Sequence, residues 1–231
     1  MDINNLQREY ARVSQTTSFS AHQEFISRLL SSNDQETIQY HFELLRSHEP
    51  RDLYLRVRSA FIKRGKEGEK FLIDRIQREK DPALLADALH LLGRLESRHA
   101  IPLAREFMSH PIPEHHYIGC YVLGWVGAED DIPVLTDRLL TDTDSRVRAT
   151  AATALDQVMI RLPHTKPQLL ASLSDALQKE EDEEVIAWVI ITIQYIMKRK
   201  YGLKENIEEA KWVGDVKKAK IKALKGLHSL R

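Results

Sequence analysis

One stretch of this chain repeats itself. Asp81 to Gly93 reads D-x-x-L-L-x-x-A-x-x-L-L-G, and Ile101-Pro102 follows. About 31 residues on, Leu123-Gly124 and Ile132-Pro133 return in the same order. At Asp144 the pattern comes back as D-x-x-V-R-x-x-A-x-x-A-L (Asp144, Val147, Arg148, Ala151, Ala154, Leu155), and at Asp182 with Val185, Val189 and Ile193. A period of about 31–38 residues belongs to a solenoid. Neither helix of one pair can bury its apolar stripe alone, so pairs stack and share a continuous core. The expected fold is all-α: an α-solenoid of stacked antiparallel helix pairs, with about 10–13 helices.

Residues 1–231 read as one solenoid domain, with N-terminal cap helices over 1–50, repeats over 51–197 and a C-terminal cap over 198–231. Helical spacing marks Ile3, Leu6, Tyr10 and Val13, then Phe25, Ile26, Leu29 and Leu30. Asn33 or Asp34 can cap a third helix carrying Ile38, Phe42 and Leu45. Residues 51–80 read as a degenerate repeat with a turn at Gly65–Gly68. In the next repeat Asp81 caps a helix and Pro82 occupies its first position, where a missing N–H costs nothing. Leu85, Ala88, Leu89 and Leu92 form the apolar face of that helix. Ile160 to Thr165 reads as an insertion between two helices, and Asp144 is spaced to pair with Arg148, worth about 0.3–0.5 kcal/mol.

The D-x-x-V-R-x-x-A-x-x-A-L string resembles bacterial HEAT-like repeats, the type found in phycobilin lyases and many small scaffold proteins. The resemblance covers 81–159 and 182–194 and thins before residue 81. It implies pairs stacked in a right-handed superhelix, B helices lining the concave face, and a habit of binding. It implies no reaction.

Charge narrows the partner. Lys and Arg number 34 and Asp and Glu number 34. Phosphate neutralisation needs clustered excess cations, so nucleic acid is not the expected partner. Single Cys120 allows no intrachain disulfide. The longest apolar stretch, Val185 to Met197, is too short for the roughly 20 residues a bilayer needs. The N-terminus lacks an apolar signal core, and the expected location is the cytoplasm.

No expected catalytic or metal site and no expected cofactor emerges. His110, His115, His116 and Cys120 cluster in sequence, yet zinc needs four converging ligands, and no paired C-x-x-C or H-E-x-x-H accompanies them. His48-Glu49 is the single His-Glu pair, whereas HEAT-type deoxyhypusine hydroxylases use several for iron. HEAT-like alkylpurine DNA glycosylases place an acid beside aromatics in a basic channel. Trp125, Trp188 and Trp212 could serve such a pocket, but no basic stripe runs through 81–181.

Two charged features remain. Glu180-Glu181-Asp182-Glu183-Glu184 can greet a basic partner or complement a helix dipole. Lys198 to Arg231 holds eleven basic and four acidic residues. Its stripe Val216, Ala219, Ala223, Leu227 and Leu230, opposite Lys217, Lys218, Lys222 and Lys225, reads first as a cap over the apolar 185–197 helix and alternatively as a basic amphipathic helix for an anionic surface, nucleic acid or membrane. Applied to this chain, the family geometry puts Lys70, Asp74, Arg78, Arg105, Glu106, Thr136, Asp137, Arg138, Gln168, Ser172 and Asp175 along the groove. The expected partner-binding set is Arg78, Arg105, Glu106, Asp137, Arg138, Asp175, Glu180 and Glu181. Mixed charge of this kind suits a folded protein partner. The specific expectation is a toxin domain, neutralised as an immunity protein does it. The alternatives are an assembly scaffold or chaperone, or a HEAT-like lyase or glycosylase-type enzyme.

Overall fold

The computed structural model describes residues 2–206 and 211–229. Among them are thirteen α-helices and one two-stranded sheet. The chain forms two compact units, Met1–His99 and Ala100–Arg231.

The first unit holds α1 (Ile3–Val13), α2 (Phe19–Leu29), α3 (Gln35–Glu43), α4 (Arg51–Phe61), α5 (Gly65–Ile76) and α6 (Pro82–Arg94). Helices two apart in sequence stack: α2 on α4, α4 on α6 and α3 on α5, with α1 against α2 and α3. The second unit holds α7 (Ala100–Phe107), α8 (Pro113–Val126), α9 (Ile132–Thr141), α10 (Ser145–Arg161), α11 (Lys166–Lys179), α12 (Glu183–Met197) and α13 (Val216–His228). There α8, α10 and α12 form one stacked row and α9, α11 and α13 the other, and α7 packs beside α8.

The repeating aspartate has a local cause. Asp81, Asp144 and Asp182 each stand at an N-cap, where the carboxylate accepts a first-turn backbone N–H: Ala83 and Leu84, Arg146, and Glu184 and Val185. The carboxylates of Asp2, Asp34 and Asp215 and the hydroxyl of Ser18 do the same at α1, α3, α13 and α2. Each cap satisfies donors that the helix itself leaves orphaned, at about 1 kcal/mol apiece.

In the first unit Arg64 is fully buried yet charged. It lies just after α4 and reaches back across the preceding pair. Nε donates to His41 Nδ1 at 2.9 Å, Nη1 to the Ser32 carbonyl and Asn33 Oδ1, and Nη2 to the Leu29 carbonyl. The guanidinium thus satisfies the end of α2, and burial lowers its pKa to about 10. His41 Nε2 completes the link by donating to the Val57 carbonyl at 2.9 Å.

Four local expectations change. Gly65–Gly68 is the first turn of α5 rather than a loop. Leu84 lies in the core and Leu85 is half-buried, so the α6 face is rotated slightly from the sequence reading. Ile160 and Arg161 extend α10 to 17 residues, and only Pro163–Thr165 forms the connecting 3₁₀ turn. Asp144 spends its carboxylate on the cap and on Arg146, while Arg148 turns to Glu180.

At the C-terminal end α12 is covered as its composition requires, by α10, α11 and α13. Val216, Ala219, Ala223 and Leu227 are buried, whereas Leu230 lies outside the described residues. Lys217, Lys218, Lys222 and Lys225 are exposed, and Lys220 Nζ donates to the Glu180 carbonyl at 2.9 Å. The sequence reading did not anticipate the antiparallel hairpin of β1 (Lys204–Asn206) and β2 (Lys211–Val213), which pairs Glu205 with Trp212.

His41 makes stability pH-dependent. Burial, then the adjacent Arg64 charge, lowers its pKa to about 3, against an ordinary 6.5. Between these values the unfolded chain binds more protons than the native one, so this contribution is complete above about pH 6.5 and falls as pH drops. Urea unfolding from pH 6.5 to 5 should show wild-type stability declining relative to His41→Gln, at up to about 1.4 kcal/mol per pH unit. Parallel profiles for the two proteins would contradict a neutral His41.

Candidate binding groove

The α8–α10–α12 row builds a groove inside the second unit. The packing starts where α8 and α10 nearly touch: a Cβ on Gly124 would lie 3.1 Å from the Cα and Cβ of Ala154. The extra length of α10 locks this arrangement, because Arg161 donates to the carbonyls of Leu123, Gly124 and Gly127 and so satisfies the end of α8.

On α8, Tyr117, Tyr121 and Trp125 fall four residues apart and share one face. Their rings form a ladder, with centroids 4.9 Å apart for Tyr117–Tyr121 and 5.5 Å for Tyr121–Trp125. Facing them are Glu184 and Trp188 of α12 and Glu205 of β1. Ala149, Thr150, Thr153, Ala154 and Gln157 of α10 lie between as a floor of mostly small side chains. The groove is open to solvent and has a volume of about 470 Å³. All four aromatic residues are half-buried.

The groove's electrostatics are lopsided. Arg146 lines one end with its guanidinium 6.0 Å from the Tyr117 ring centroid. It is committed to Asp144 at 2.9 Å, and Glu114 stands 3.7 Å away. Tyr195 donates its hydroxyl to Glu205 Oε2 at 2.7 Å. Burial raises the Tyr117 pKa, while the hydrogen bond to Glu205 leads the rise at Tyr195, so both hydroxyls stay protonated at neutral pH. The lining therefore offers ring faces, small polar groups and two carboxylates.

The residues expected from sequence to meet a partner lie elsewhere. Arg105 Nε is held by buried Asp131 at 2.6 Å, and Glu106 beside it is exposed. Asp137 pairs with Arg138 at 2.6 Å, and Asp175 with Lys179 at 2.9 Å, on α9 and α11. Thr136 donates to Ser172 Oγ at 3.0 Å across those two helices. Arg78 is exposed just beyond α5 in the first unit. Glu180 and Glu181 line a second, polar hollow of about 420 Å³ with Asp142, Arg148 and Lys179.

Glu180 is a fastener within that hollow. Arg148 donates to both of its oxygens, at 2.7 and 3.1 Å. Burial alone would raise the Glu180 carboxyl, but Arg148 and the backbone N–H groups of Asp182 and Glu181 outweigh it and hold the pKa below normal. Asp182 is spent on capping α12, and Glu181 is exposed.

The histidine cluster is likewise engaged. His115 stacks on Phe107 with centroids 4.1 Å apart, and His110 lies 4.0 Å from His115. His116 uses Nδ1 on Asp142 and Nε2 on the His110 carbonyl. Cys120 is buried, which pushes its thiol pKa far up. Among the described residues no group of His, Cys, Asp and Glu is arranged to hold a metal ion.

Sequence reasoning missed Tyr117, Tyr121, Arg146, Gln157 and Glu205 as lining residues, whereas Glu184 belongs to the acidic run it had offered to a basic partner. It had singled out three tryptophans, and two of them, Trp125 and Trp188, meet here. The signal for the ladder was present in the spacing of Tyr117, Tyr121 and Trp125.

Residues 69–156, from α5 into α10, match the family model for HEAT repeats. No curated protein matches the chain. Among the described residues, no helix is long and apolar enough to cross a membrane.

The two acidic neighbours should separate cleanly. Glu180→Lys breaks the Arg148 pair and should cost about 2 kcal/mol in chemical denaturation, whereas Glu181→Lys should stay within about 0.5 kcal/mol of wild type. Equal effects would contradict the structural role of Glu180.

Proposed function

We propose that this chain is a non-enzymatic protein-binding module that receives its partner in the α8–α10–α12 groove. The observation that carries this reading is the half-buried ladder of Tyr117, Tyr121 and Trp125 facing Trp188 across a floor of small residues. Large rigid aromatics are the side chains most often responsible for binding energy at protein interfaces. HEAT repeats over 69–156 support a protein-interaction role, because stacked helix pairs form extended binding surfaces. The lining favours grip over reaction: its tyrosines stay protonated, and its one cation is already paired.

The specific role we propose is that of an immunity protein, which neutralises a cognate bacterial toxin by covering its working surface. Such a protein needs a tailored surface and no chemistry of its own, and the balanced charge of this chain suits recognition by complementarity.

Affinity capture from the native lysate, run in parallel with wild type and a Tyr121→Ala/Trp188→Ala variant of equal melting temperature, tests the binding reading. A protein held by wild type and lost by the variant is the expected result, and identical capture would overturn it. The immunity role further requires that the captured protein arrests growth when expressed alone and is silenced by co-expression with this chain. Unhindered growth without it would reject that role.

A further inference from the structure

We infer that the groove is a receptor for a cationic side chain, an arginine or lysine carried by a basic segment of the partner protein. The inference rests on the groove being the partner surface and names what that surface recognises. Four aromatic rings turn toward one volume, and aromatic faces attract cations. Two carboxylates share that volume. Glu184 stands in the first turn of α12, and its carboxylate makes no hydrogen bond or ion pair among the described residues. Glu205 accepts from Tyr195 through Oε2 and keeps Oε1 for a guest.

Other guests fit less well. An anion would have to use Arg146, which Asp144 already holds at 2.9 Å and Glu114 approaches at 3.7 Å. It would also meet Glu184 and Glu205. A purely apolar guest would bury both carboxylates without partners, which is costly. A guanidinium or ammonium stacks on the rings along its stem and gives charge-assisted hydrogen bonds to both carboxylates at its head.

The test titrates the full chain with Nα-acetyl-argininamide and with its neutral analogue Nα-acetyl-citrullinamide, following the indole N–H resonances by NMR. The neutral analogue serves as the reference, because Trp212 stands cross-strand from Glu205 and is not a bystander. The arginine probe should shift Trp125 and Trp188, while the citrulline probe shifts neither. Glu184→Gln/Glu205→Gln should weaken the arginine probe by about tenfold, as expected for losing charge-assisted pairing. Equal shifts from the two probes, silence from both, or indifference to the double variant would overturn the inference. If such a result accompanies loss of capture by Tyr121→Ala/Trp188→Ala, the interface stands and only the cationic guest is rejected. If capture is also indifferent to that variant, both readings fall.

Discussion

The close approach of α8 to α10 at Gly124 and Ala154 is the constraint on which the candidate site depends. A larger side chain at either position would push the helices apart. With small residues there, α10 sits low between α8 and α12, and the longer aromatic side chains on both flanks stand above it. The groove is therefore a by-product of packing small against large, made permanent by Arg161 at the end of α8. The same exchange explains why the aromatics remain half-buried: along the middle of α10, Ala149, Thr150, Thr153 and Ala154 are too short to cover them.

The balanced charge of the chain takes on a structural meaning. Much of it is spent on joining elements. Arg148 binds Glu180 across repeats, Arg105 binds Asp131, and Arg64 satisfies carbonyls at the end of α2. These pairs hold one repeat against the next and are poorly placed to be traded for a partner, because breaking a buried pair leaves an uncompensated charge. Still accessible for recognition are the half-buried aromatic side chains and Glu184 of the groove, and the exposed lysines of α13.

Most of the helical framework was legible in the sequence. The aspartates at 81, 144 and 182 announced helix starts because only a short acceptor at that backbone position satisfies the first-turn donors. The all-round apolar 185–197 segment announced its own burial and the need for a cap. The site was harder to read. On α8 the core stripe of Ile118, Val122 and Leu123 runs beside the aromatic stripe, so neither face looks polar and the exposed one is hidden by the buried one. Glu205 arrives from a hairpin whose short strands carry no clear alternation. Arg148 found Glu180 rather than Asp144 because the local carboxylate had been claimed by the cap, a competition that spacing alone does not resolve. The groove expected on the B helices assumed the geometry of the resembled family, whereas the aromatic volume opens on the opposite row.

That contrast is also the sharpest test. Hydroxyl-radical footprinting of the full chain, with and without its captured partner, reads side-chain protection residue by residue. Protection of Tyr121, Trp125 and Trp188, with the α9–α11 face left as reactive as in the free chain, is the predicted result. Protection confined to the α9–α11 face around half-buried Leu140 and Asp175, with the three groove aromatics unchanged, would contradict the account.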